Sequence, residues 1–209
     1  MMEVVDFKDR TREKKIEEVN KMRKLFTLLL LFSFGFSQEL KVGDVAPSWA
    51  LMYSPGKYEM LSTWSAEEGK KLKRPVSQPY RHVVVMSFFA TWCAPCMLEL
   101  PILEKLYNKY KNERVKFFLI DITEGTRTMP GYEDAPKAGP FLKKKGVTMP
   151  ILYDTRGTVM ERYNAVSLPR IYIIDCNRKI TQIREGFHSE EKFTKELTAE
   201  IDRLLEEMK

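Results

Sequence analysis

The chain has 209 residues, of which 44% are hydrophobic and 31% charged, with a formal net charge of +6. This make-up supports one packed core of ordinary size, which excludes global disorder and leaves room for one domain plus a tail rather than two domains. The 35 Lys and Arg residues are spread among 29 Asp and Glu, so nucleic acid is not an expected partner, and three cysteines are too few for a disulfide-stapled mini-domain.

Residues 1–21 are charged and helix-prone. Residues 25–36, LFTLLLLFSFGF, are apolar and uncharged, with Arg23 and Lys24 immediately before them. A membrane-spanning helix needs about 20 apolar residues, whereas this shorter run suits the central region of a secretory signal peptide. Gly35 and Ser37 bracket a cleavage position before Gln38. An uncleaved anchor and a buried core segment are the alternatives. Met22, followed directly by Arg23 and Lys24, makes a compact start for such a signal, so translation from Met22 is a further expectation. No cysteine follows the run to carry a lipid anchor. Residues 1–37 are therefore read as a signal peptide or signal anchor, and residues 38–209 as a domain in the periplasm or another extracytoplasmic space.

Residues 38–47 form an entry segment with a turn at Gly43-Asp44. Residues 49–52 and 58–61 flank Ser54-Pro55-Gly56-Lys57 and predict a β-hairpin. Residues 62–79 are polar, with a short helix expected over 66–72. Residues 82–89, HVVVMSFF, are almost wholly apolar and rich in β-branched and aromatic side chains, which predicts a central strand covered on both faces. Leu100, Leu103, Tyr107 and Tyr110 recur at helical spacing. Residues 115–122 predict a second buried strand, and residues 123–136 are broken by Gly125, Pro130, Gly131 and Pro136. A short helix ends over 141–145 and is closed by Gly146. Residues 150–153 are extended and 159–163 make a helical turn or two. Residues 170–175 and 179–185 pair as a hairpin around 175–178. Ser189 is the N-cap of a terminal helix with Glu190 and Glu191 in its first turn and a buried stripe of Phe193, Leu197, Ile201, Leu204, Leu205 and Met208. The order of elements predicts an α/β fold, a central mixed β-sheet flanked by helices, with the N-terminal β-hairpin as an extension.

The chemistry concentrates in Trp92-Cys93-Ala94-Pro95-Cys96, between the first central strand and its helix. Cysteines three apart on a first helical turn approach closely enough for a disulfide. The unpaired N–H groups and the positive end of the helix dipole favour thiolate there. Cys93 is the expected exposed nucleophile and Cys96 the resolving thiol. Pro95 suits an early helical position, where a missing N–H is harmless. Structural zinc would need a second Cys or His pair, and only Cys176, His82 and His188 remain, none at ligand spacing. No metal site is expected.

Trp-Cys-Ala-Pro-Cys after an apolar strand resembles the thioredoxin superfamily, and more narrowly its TlpA/ResA-like branch of exported thiol–disulfide oxidoreductases. The resemblance covers residues 42–209. Val42-Gly43-Asp44-Val45-Ala46-Pro47 is similar to the branch's entry motif, the block from Phe88 to Cys96 to its active site, and Pro101 stands where its helix kinks. The resemblance implies a thioredoxin-like fold and a redox-active disulfide in place of any cofactor. It implies a cis proline at Pro169, with the backbone of Leu168 pairing with an extended substrate chain. It also implies an acid near the thiols, for which Glu99, on the Cys96 face of the helix, is the candidate as proton acceptor; a solvent-facing glutamate is the alternative. Trp92, Pro95, Leu168 and Pro169 are the expected substrate-binding residues.

The partners implied are disulfide-containing exported proteins such as apocytochrome c, reduced by this chain, and a membrane thiol-reductant donor that recharges it, with a membrane tether through residues 25–36 as an option. Two other classes remain open. A thiol peroxidase would use a Thr-x-x-Cys setting, and Thr91-Trp92-Cys93 is one residue short of it. A copper metallochaperone would space its cysteines CxxxC and add a distal His. The chain departs from the branch at Cys176-Asn177-Arg178, where glycine is common, so Cys176 is read as a free cysteine in a hairpin turn. His82 and His188 are read as structural. The stretches 62–80 and 123–136 exceed what a minimal fold needs and are candidates for a partner-binding surface.

Overall fold

The computed structural model describes residues 17–23 and 39–209. The apolar run, its proposed cleavage position and Lys24 lie outside the described residues. The chain divides into two compact units, Met1–Gln38 and Glu39–Lys209. In the first, residues 17–23 are helical and include Met22. Among the described residues, no helix is long and apolar enough to cross a membrane.

The second unit is built on one seven-stranded sheet. Its strands are β1 (Ala50–Ser54), β2 (Lys57–Met60), β3 (Val83–Phe89), β4 (Val115–Asp121), β5 (Ile151–Tyr153), β6 (Arg170–Ile174) and β7 (Ile180–Glu185), in the order β2-β1-β5-β4-β3-β6-β7. The pairs β3–β4 and β4–β5 are parallel, and all other neighbours are antiparallel. This is the expected mixed sheet, and the first two strands are the expected hairpin, turning at Gly56 with φ +72°. Every residue of β3 is buried, as a strand covered on both faces requires.

Helices α1 (Leu61–Trp64), α2 (Ala94–Tyr110), α3 (Ala138–Lys144), α4 (Thr158–Arg162) and α5 (Glu190–Glu207) complete the unit. Side chains alternate along a strand, so Ser87 and Phe88 point to opposite faces of the sheet. Helices α2 and α5 pack together on the Ser87 face. On the Phe88 face lies Tyr163, just after α4, whose ring meets Phe88 and Tyr172 at 5.8 and 5.0 Å between centroids. Phe193, Leu197, Ile201 and Leu204 of α5 are buried, and Ser189 caps it by accepting from the Lys192 N–H at 3.3 Å.

One expected element is replaced. No helix forms over residues 66–72; the short helix is α1, just before them. Arg81 is the reason. Its guanidinium donates to the carbonyl oxygens of Ala66, Glu67 and Lys70 at 2.5, 3.3 and 2.6 Å. Carbonyls that a helix would use internally are instead gathered around one cation, and the segment folds as a turn. The stretch 123–136 is irregular as expected, apart from a single 3-10 turn at Glu124–Thr126.

Candidate active site

Strand β3 delivers the chain to the start of α2, and the two cysteines sit at that junction. Cys93 is the N-cap of α2, Pro95 lies in its first turn, and a disulfide joins Cys93 to Cys96 with their Cα atoms 5.3 Å apart. The Cys96 backbone N–H donates to Cys93 Sγ at 3.2 Å. This N–H is one of the helix-start donors left without an intrahelical acceptor, and here it is aimed at the sulfur that would carry negative charge on reduction.

The expectation that Cys93 is exposed is corrected. In the disulfide form Cys93 is 3% exposed and Cys96 2%. Burial therefore does not distinguish the two sulfurs. Position does: Cys93 is the cap and Cys96 is a turn further in. Ala94 and Pro95 form the exposed rim above the bond.

Trp92 is half-buried, and the residues that hold it come from the 123–136 stretch. Its Nε1–H donates to Thr126 Oγ1 at 2.9 Å, and its ring stacks on Tyr132 at 4.1 Å between centroids, 20° from parallel. The same stretch is tied to the residue before Trp92: the Thr91 N–H donates to Thr123 Oγ1 at 3.1 Å, and the Thr91 hydroxyl to the Pro136 carbonyl at 2.9 Å. Sequence reasoning named the stretch as a surface but missed Thr123, Thr126 and Tyr132. The threonine pair spaced for one turn was the available signal.

The Leu168–Pro169 peptide bond is cis. Phe88 pairs with Arg170 across β3 and β6, so Pro169 sits at the end of the sheet from which β3 leads to Cys93. The Pro169 carbonyl accepts from the Gly186 N–H at 2.9 Å. Leu168 is half-buried, and its backbone makes no hydrogen bond with the described residues.

Glu99 is buried, not solvent-facing, at 2% exposure. It accepts a hydrogen bond from the Ser87 hydroxyl at 2.9 Å. Burial pushes its carboxyl up to about 7, against the downward pull of that bond and of the Arg184 cation. Ser87 is the one hydroxyl in an apolar strand, a readable signal that was not used; Arg184 carried none. A second buried acid, Asp121, ends β4 and accepts from the Thr123 N–H at 3.0 Å and from the Thr123 hydroxyl. Burial raises it to about 6, again opposed by its hydrogen bonds.

The remaining candidates stand apart. His82 precedes β3, at the opposite end of that strand from the disulfide. Its Nδ1 lies 3.0 Å from the Tyr80 carbonyl and 2.9 Å from Gln78 Nε2, and burial lowers it to about 4. His188 is exposed. Cys176 is a free, half-buried thiol in the β6–β7 turn, also at the far end. Among the described residues, no group of three or more His, Cys, Asp and Glu is placed to hold a metal ion.

The Redoxin family model matches residues 41–200. The thiol-disulfide oxidoreductase ResA of Geobacillus kaustophilus is 28% identical over 197 residues, covering 90% of this chain and 95% of that protein. The ResA of Bacillus subtilis is 24% identical, covering 82% and 90%. Among solved structures, the thioredoxin domain of a thiol-disulfide oxidoreductase from Bacteroides vulgatus superposes with a TM-score of 0.55 at 18% identity, over 78% of this chain and 99% of that one. StoA from Bacillus subtilis does so with a TM-score of 0.51 at 18% identity, over 72% and 96%. At such identities the structures speak for the thioredoxin-like fold alone.

Proposed function

This chain belongs to the redoxin family, and from that premise we propose that it is a ResA-like thiol–disulfide oxidoreductase that reduces disulfides in exported proteins, apocytochrome c among them. The observation that carries the reading is the Cys93–Cys96 disulfide at the N-terminus of α2, with Glu99 buried on the same helix one turn beyond Cys96.

The reaction begins from the reduced pair. The Cys93 thiolate, favoured by the helix start, attacks one sulfur of a partner disulfide. A mixed disulfide forms, and the other partner sulfur leaves as a thiolate that takes a proton from water. The Cys96 thiol gives its proton to the Glu99 carboxylate. The resulting Cys96 thiolate attacks Cys93 Sγ, closing the Cys93–Cys96 bond and releasing the second partner thiolate. Two electrons pass to the partner and the pair is left oxidised. A thiol donor in the membrane then reduces it again.

Near-neutral titration suits Glu99 to this task, because a proton acceptor works best when its own pKa lies close to the working pH. The unpaired Leu168 backbone offers an N–H and a C=O to an extended partner chain beside the disulfide. Trp92, Pro95 and Pro169 supply the apolar surround. The basic flank and apolar run over residues 23–36 support an extracytoplasmic location, with that segment cleaved or kept as a tether.

The test is a covalent trap. Cys96→Ser leaves Cys93 able to attack and unable to be resolved, so partners accumulate as adducts that thiol reductant releases. Recovery of exported cysteine-containing proteins, apocytochrome c included, supports the reading. Peroxide consumption without added disulfide, or tight Cu(I) binding with no adduct, would replace it by the peroxidase or the metallochaperone.

A further inference from the structure

The Ser87 face of the sheet carries a second charged group that the exchange reaction has not used. Ser87 of β3 pairs with Ile171 of β6, and Ile171 pairs with Arg184 of β7. Residues directly opposite on neighbouring strands share a face, so Ser87, Ile171 and Arg184 form one row pointing toward α2 and α5. Glu99 stands on that row at Ser87, and Arg184 is two strands along it.

Arg184 is held unusually for a strand residue near a sheet edge. Its side chain is 11% exposed. One guanidinium nitrogen pairs with the Glu196 carboxylate of α5, and the group lies over the Phe193 ring, 5.2 Å from its centroid. Its Nε is fully buried and has no acceptor among the described residues. The cation is thus fixed from the α5 side, with one donor unused and an ionisable carboxyl on the same face.

We propose that Arg184 is a positioning residue for the Glu99 proton acceptor, a countercharge shared between Glu99 and Glu196 that lets Glu99 ionise when the cysteine pair is reduced. This deepens the exchange mechanism and rests on the reading of Glu99 as acceptor of the Cys96 proton. Burial disfavours both charges, and each partly offsets that for the other: the Arg184 charge favours the Glu99 carboxylate, and the carboxylate favours the Arg184 cation. The groups facing Glu99 are few. Ser87 reaches it from β3, Cys96 shares its face of α2, β6 contributes the uncharged Ile171, and β7 contributes Arg184. On α5, Glu196 is next to Arg184, with Lys192 3.8 Å beyond it, while Glu200 is occupied by Arg203 at 2.6 Å.

A shared cation makes opposite predictions for its two sides. Arg184→Met removes the countercharge and should move the midpoint of the resolving step to higher pH. Glu196→Gln leaves the cation to Glu99 alone and should move it lower. Arg184→Lys should restore most of the normal midpoint. The Arg184→Met and Glu196→Gln shifts are each expected to be about one pH unit, a tenfold change in the ratio of ionised to protonated carboxyl at fixed pH.

The measurement is single-turnover oxidation of the reduced full chain by a disulfide peptide between pH 5 and 9, in the wild type and each variant, alone and with Glu99→Gln. Opposite shifts that vanish with Glu99→Gln establish the proposal. If Glu99→Gln changes the profile but Arg184→Met and Glu196→Gln leave the midpoint in place or move it in the same direction, Arg184 only packs the fold and the proposal is overturned. If Glu99→Gln itself leaves the profile unchanged, the acceptor reading falls, and this inference with it.

Discussion

The Ser87 hydroxyl donates to the Glu99 carboxylate at 2.9 Å, on a face of β3 where every neighbouring residue of the strand is apolar. The strand therefore does two things with one residue: it covers α2, and it supplies the hydrogen bond that opposes the burial of its acid.

Ser87→Ala should make Glu99 a weaker acid. Burial raises the carboxyl and the Ser87 bond pulls it back, so deleting the bond leaves the upward push less opposed. A hydrogen bond to a charged group contributes about 1.5–3 kcal/mol, and one pH unit corresponds to about 1.4 kcal/mol. The midpoint of the Cys96-dependent step is expected to rise by about one unit. Stopped-flow exchange kinetics across pH 5–9 give the answer, and a profile identical to wild type would show that the bond is not felt by the reaction.

Stability should fall as pH rises from about 4 to about 7. Glu99 and Asp121 have folded-state values of about 7 and about 6, above the 4.5 and 3.8 of the open chain. The folded protein thus holds protons that the unfolded chain releases, and between roughly pH 4 and 7 raising the pH favours unfolding. Asp121→Asn removes one ionisation and leaves an amide oxygen to accept from Thr123. It should stabilise the oxidised protein at pH 8 by about 1–3 kcal/mol and flatten the slope, with little change at pH 4. Urea unfolding at the two pH values decides it; equal stabilisation at both would mean that the ionisation is not the cause.

Much of this architecture could be read from residues 82–96. An almost wholly apolar strand followed by two cysteines and a proline at a helix start admits few structures, and the structure has that arrangement. Helical spacing puts Glu99 on the Cys96 face of the helix, and the family resemblance gives it a role there. The parts not legible depend on pairing across long stretches of chain. Arg184 lies in a strand that reads as a polar edge, and its burial arises only when α5 lays Glu196 and Phe193 over it. The helix expected over 66–72 gives way to a cation at position 81, which no local pattern announces. A place at a helix start predicts exposure for Cys93, but in the disulfide form it is buried.

Tyr132→Ala should loosen Trp92 and weaken partner recognition more than the chemical step. Stacked aromatic pairs contribute about 0.5–1.5 kcal/mol beyond their buried area, and here the pair supplements the Trp92–Thr126 hydrogen bond. The expected result is a several-fold rise in KM for a protein disulfide with kcat changed less than twofold. Tyr132→Phe keeps the ring and should behave as wild type. If Tyr132→Ala lowers kcat and leaves KM alone, the 123–136 stretch serves the cysteines and not the partner.

Arg81 separates stability from chemistry. Besides the carbonyls of Ala66, Glu67 and Lys70, it donates to the Cys176 carbonyl at 3.2 Å and to Asn177 Oδ1 at 2.7 Å, which pins the 66–72 turn to the β6–β7 turn. All of these contacts lie at the end of the sheet remote from Cys93. Arg81→Ala should leave several of those acceptors without their donor and destabilise the protein by about 2–4 kcal/mol. The pH profile and KM of exchange should stay as they are at temperatures where the variant is folded. Cys176 gives an independent readout, because burial raises its thiol and slows its reaction with alkylating agents. Loosening the turn should speed alkylation of Cys176 in the oxidised protein. Unchanged alkylation together with slowed exchange would place Arg81 in communication with the disulfide, contrary to its position in the fold.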